Sequence, residues 1–116
     1  MSDIAAILAQ SAQQLTAAGA PYELVEQTIG GINYRLYRQA PATVKELLDA
    51  GRVHGDATFL VYEDEQWSFK QFFQQVDTIA YQLVHRYGVK KGDRIAIAMR
   101  NFPEWMSTYA AVTSLG

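Results

Sequence analysis

Between Phe69 and Tyr87 the apolar residues Phe69, Phe72, Phe73, Val76, Ile79, Ala80, Leu83, Val84 and Tyr87 recur at intervals of three and four. That period predicts an amphipathic helix over residues 68–88. Its start carries a capping box, Ser68 with Gln71 three residues on, and Trp67 and Phe72 hold the two staple positions. Gly88 and Val89, with Val84 before them, predict a Schellman ending. The pattern then changes. Ile95-Ala96-Ile97-Ala98-Met99 is apolar at every position, whereas a strand with one wet face alternates. It reads as a central parallel strand covered on both faces. Asn101 follows as the expected N-cap of a helix over Phe102–Leu115, with Pro103 in the first turn and Glu104 at its third position.

Earlier segments are shorter. Residues 3–18 predict a small amphipathic helix capped by Ser2, with Ile4, Ile7, Leu8 and Leu15 in one stripe, stopped by Gly19 and Pro21 and serving as a lid over a core edge. Residues 22–38 predict a hairpin about Gly30-Gly31, since both central positions of its turn need positive φ. That register sets Glu26 opposite Arg35, Glu23 opposite Arg38, Val25 opposite Leu36 and Ile29 opposite Ile32. Residues 43–54 predict a helix with a capping box at Thr43 and Glu46, Val44, Leu47 and Leu48 turned inward, and Gly55 ending it. Thr58–Tyr62 reads as a strand, Glu63-Asp64-Glu65-Gln66 as a turn, and Trp67 as the chain's return. The whole reads as an α/β fold: a β-hairpin, then strand-helix-strand-helix of an incomplete, mostly parallel sheet. Neither helix can pair the edges of strand 95–99, and an open apolar edge is an aggregation hazard. Self-association is therefore expected of the piece alone, and the missing elements are expected beyond Gly116.

Composition narrows the function classes. The 116 residues are 49% hydrophobic and carry a net charge of −2, with basic and acidic residues interspersed, so no nucleic-acid footprint is present. The absence of cysteine removes disulfides, thiolate catalysis and cysteine–zinc sites. The amino terminus has Asp3 in place of a basic region, and glutamines interrupt its apolar residues, unlike a secretory signal. No run approaches the ~20 apolar residues of a membrane span. These features predict a soluble, cytoplasmic chain.

Candidate chemistry is sparse. Gly30-Gly31 could cradle a phosphate, but Ile32 and Asn33 follow with neither a lysine nor a helix start. Lys90-Lys91-Gly92-Asp93-Arg94 is cationic, yet it leads into a strand and lacks the free amides of a helix N-terminus. His54 suits the last turn of its helix. Tyr81 and His85 share a wet face, and Glu63, Asp64 and Glu65 form a solvated hairpin tip. Arg100 and Asn101 stand at the carboxyl end of the expected parallel strand, where α/β sheets bind ligands. Asn101 could line an acyl or nucleotide crevice there, although capping already explains it. No catalytic, cofactor-binding or metal-binding residue is assigned.

Two stretches, FLVYEDEQWSFKQF (59–72) and VDTIAYQLVHRYGVKKGDRIAIAMRNFPEWMSTYAAVTSLG (76–116), resemble the amino-terminal part of AMP-forming acyl-CoA synthetases of the adenylate-forming superfamily. The preceding PYELVEQTIGGINYRLYRQAPATVKELLDAGRVHGD is similar to fatty-acid–CoA ligase-like members. The combination carries the resemblance: an aromatic-Ser-Phe helix entry, Gly-Val-Lys-Lys-Gly-Asp-Arg before a strand, then Arg-Asn-x-Pro-Glu-Trp. It covers residues 20–116, as the truncated amino-terminal portion of the large AMP-binding domain. Residues 1–19 form a separate N-terminal helix.

The resemblance implies a two-step ligase. A carboxylic acid, of the fatty class, attacks the α-phosphate of Mg²⁺-bound ATP to give an acyl-adenylate, and coenzyme A displaces AMP. The family's Ser/Thr/Gly-rich phosphate loop with its lysine, its adenine-binding aromatic motif, its ribose-binding aspartate and its carboxy-terminal catalytic lysine have no counterpart in these residues. Lys90 and Lys91 match a turn of the family and not its catalytic lysine. The segment alone is thus expected to be inactive, with the remainder of its enzyme chain as its partner. A complete small α/β interaction module without enzymatic activity is the alternative.

Overall fold

The structure is a computed structural model that describes residues 2–116. The chain divides into two compact units, one ending at Pro41 and one spanning Ala42–Gly116.

The first unit holds α1 (Ser2–Thr16) and an antiparallel hairpin of β1 (Leu24–Ile29) and β2 (Ile32–Tyr37). Gly30 and Gly31 turn the hairpin at φ 58° and 82°, values that only glycine adopts at little cost. The observed pairs include Glu26 with Arg35, Val25 with Leu36 and Ile29 with Ile32, the register expected from the sequence. Glu23 accepts from Arg38 Nε at 2.9 Å just outside the ladder. α1 ends two residues earlier than expected. Its apolar stripe is exposed at Ile4, Ile7, Leu8 and Leu15. The expected Ser2 cap concerns a side chain outside the described ones.

The second unit contains the core. α2 (Val44–Asp49) runs into a 3₁₀ turn (Ala50–His54) and then the hairpin of β3 (Thr58–Tyr62) and β4 (Glu65–Ser68). α3 (Phe69–His85) and α4 (Pro103–Ser114) complete it. Phe72, Phe73 and Val76 of α3 are buried against Ala110 and Ala111 of α4, with Leu48, Phe59, Leu60, Trp67 and Phe69 packed around them. α4 buries only small residues, Pro103, Ser107, Ala110 and Ala111, so it can lie close against α3.

The start of α3 is fully satisfied. Ser68 Oγ accepts from Gln71 N, and Gln71 Oε1 accepts from Ser68 N. The amides of Phe69 and Lys70 donate to the carbonyls of Ala57 and Gly55. This cap fixes the helix to the β3–β4 hairpin, because Ser68 is also the last residue of β4. Ser68→Ala is expected to cost the second unit about 1 kcal/mol. A urea titration followed by tryptophan fluorescence measures it, and an unchanged midpoint would contradict the capping account.

Four expectations are corrected. First, residues 93–98 pair with no strand, and the two sheets are both two-stranded and antiparallel. The parallel sheet is therefore not formed among the described residues. Ile95 and Ile97 are half-buried while Ala96, Ala98 and Met99 are exposed, so an apolar segment has one covered face and one open face. Second, α2 turns only Leu48 toward the core. Val44 and Leu47 are exposed, so the six-residue helix presents a single apolar side chain to the core, before the chain tightens to 3₁₀ at Ala50. Its box is also shifted: Thr43 Oγ1 accepts from Glu46 N, but Glu46 reaches the amide of Ala42. Third, α3 ends with Gly88 at φ 68°, but Val89 N donates to Leu83 O and Tyr87 N to Gln82 O. The last turn is widened, and the Schellman pair does not form. Val84 and Tyr87 of the apolar stripe are exposed. Fourth, Asn101 does not cap α4. The N-cap is Phe102, at φ −90° and ψ 163°, with no side-chain bond. Pro103 sets that boundary, since a proline forces the residue before it into extended backbone.

Candidate functional site

Removing the cap leaves Asn101 to be explained by its surroundings. It sits exposed between the apolar segment and α4. With Leu60, Val61, Tyr62, Phe102, Pro103 and Met106 it lines an open cleft of about 230 Å³. A larger cleft of about 460 Å³ shares Tyr62, Phe102 and Pro103 and adds Glu65, Met99 and Glu104. Met99, at the carboxyl end of residues 95–99, lines the larger cleft, and Asn101, two residues on, lines the smaller.

The local fold explains each wall. β3 delivers Tyr62, and the tight β3–β4 turn, with Glu63 at φ 51°, returns the chain so that Glu65 stands opposite Tyr62. Pro103 opens α4 and is itself buried, which anchors Phe102 and Glu104. The Phe102 and Tyr62 rings meet edge to face at 5.7 Å. The Arg100 guanidinium lies 6.0 Å from the Phe102 ring centre. Glu65 accepts from the indole Nε1 of Trp67 at 3.3 Å.

Both clefts are mainly apolar, Glu65 and Glu104 edge the larger one alone, and neither is lined by a lysine or arginine. That donor set does not fit a nucleotide triphosphate, which needs cations or converging amides. It does fit the flank of an apolar ligand. The cationic turn offers no better phosphate site. Asp93 Oδ2 accepts from Lys90 N, and Gly92 N donates to Gly116 O, so these amides are already engaged. Glu63 and Asp64 form the hairpin tip. Tyr81 and His85 stack at 4.1 Å on the exposed side of α3. His54 packs on Phe69 at 4.7 Å. None of these groups converges on the clefts.

A separate ionic cluster joins the local partners Asp49 and Arg52 to Asp77, twenty-five positions beyond Arg52 and without a sequence signal. Arg52 donates two bonds to Asp77, at 2.7 and 3.0 Å, and one to Asp49 at 2.9 Å, and its guanidinium lies 4.4 Å from the Phe73 ring centre. The paired carboxylate of Asp77, ahead of that of Asp49, raises the Arg52 pKa further above its already high value. Asp49 is held below the usual aspartate range, by the bond from Lys45 first and that from Arg52 second. A lowered carboxylate pKa gives stability that is present above the ordinary value and lost as pH falls through the folded one. The second unit should therefore weaken in acid, from about pH 4 downward. Asp49→Asn is expected to flatten that acid limb in a pH series of urea midpoints. An unaltered slope would remove Asp49 from the account.

A family model described as "AMP-binding enzyme" matches residues 47–116. A crotonobetaine/carnitine–CoA ligase of Salmonella paratyphi A is 30% identical over 73 residues, which is 59% of this chain and 14% of that protein. The long-chain fatty acid transport protein 6 of Mus musculus is 23% identical over 83 residues, 72% of this chain and 13% of that protein. The chain thus spans about one seventh of the relatives it matches. No solved structure matches it. Among the described residues, no helix is long and apolar enough to cross a membrane.

Proposed function

The chain belongs to the AMP-binding enzyme family, and on that premise we propose that residues 1–116 are the amino-terminal segment of an ATP-dependent, AMP-forming acid–CoA ligase of the cytoplasm. Its substrate is a carboxylic acid of the fatty class, activated as an acyl-adenylate and transferred to coenzyme A. The observation that carries the reading is the family match across the whole of residues 47–116. The printed names of the relatives, a CoA ligase and a long-chain fatty acid transport protein, support the reaction and the substrate class.

Within that enzyme the segment supplies scaffold and no catalytic group. α3 and α4 pack on one another in the core, and later parts of the polypeptide complete the sheet and bring the groups that hold ATP and Mg²⁺. The clefts beside Asn101 and Met99, which no lysine or arginine lines, suit the acyl side of the reaction better than the nucleotide side.

ATP–pyrophosphate exchange tests the assignment. The longer polypeptide is expected to exchange label when a fatty acid and Mg²⁺ are present, and the 116-residue chain to stay at background. Exchange by the short chain would overturn the placing of the chemistry outside it. A longer polypeptide that is folded but silent toward every carboxylic acid offered would overturn the ligase reading.

A further inference from the structure

We draw no further inference here: the strongest candidate, the unpaired apolar segment at residues 95–99 with the open clefts at its carboxyl end, is an unpartnered face, and beyond the sheet completion already proposed nothing in the structure shows what covers it.

Discussion

Phe72→Ala is expected to abolish the cooperative unfolding of the second unit. Phe72 is only 1% exposed, and its ring lies 4.7 Å from that of Phe59 and 5.2 Å from that of Phe73. It therefore joins the β3–β4 hairpin to α3 at the centre of the core. Truncating a buried phenylalanine to alanine costs roughly 3–5 kcal/mol, because the lost transfer energy is joined by a cavity that the neighbours fill only in part. A small domain has a total stability of about 5 kcal/mol, near the low end of the usual range. The substitution thus removes most of the margin. Trp67 and Trp105, the chain's two tryptophans, both belong to this unit, so fluorescence reports it alone. The expected trace is a shallow, nearly linear urea response in place of a sigmoid. Tyr81→Ala, at a side chain 62% exposed, should stay within about 0.5 kcal/mol of the parent. A sharp transition retained by Phe72→Ala would show that the core is held elsewhere.

What could be read from the sequence divides by the range of the interaction. The β1–β2 register follows from one glycine pair and residues within seven positions on either side. The α3 cap follows from four consecutive residues. Both depend on local chemistry, and both formed as expected. The Asn101 cap was a competition between two local rules. Asparagine favours the N-cap, but Pro103 forces extended backbone onto Phe102 and wins. Giving the proline precedence would have moved the cap to Phe102 and released Asn101 to the cleft. The cleft itself has no such signal. Tyr62 and Glu104 meet there only because the β3–β4 turn and the N-terminus of α4 arrive at the same end of residues 95–99. The Arg52–Asp77 pair is similarly invisible, since twenty-five positions separate partners that any other charged residue could have matched.

The apolar run at residues 95–99 carries the second large prediction. The unbroken apolar run predicts burial on both faces, but Ala96, Ala98 and Met99 are exposed, and a ladder needs a partner strand, of which none lies among the described residues. The amides of residues 94–98 should therefore exchange with solvent deuterium close to the rate of an unstructured peptide. Those at the centre of α3, such as Val76, have helical partners and a buried side chain. They should be slowed by the factor set by global unfolding, on the order of 10³ or more for a domain of about 5 kcal/mol. The contrast is independent of any activity. If the ligase assignment holds, the same five amides should gain protection in the longer polypeptide, since a covered parallel strand donates along its length. Protection that rises with the concentration of the 116-residue chain would instead show a second copy at the open edge, as a bare apolar strand invites. Strong, concentration-independent protection in that short chain would contradict the fold described, because those amides would then have partners within the chain. An open apolar strand is stable in isolation only to the extent that something covers it, and exchange at these five positions shows directly whether that cover is absent, is a second copy, or belongs to the same polypeptide.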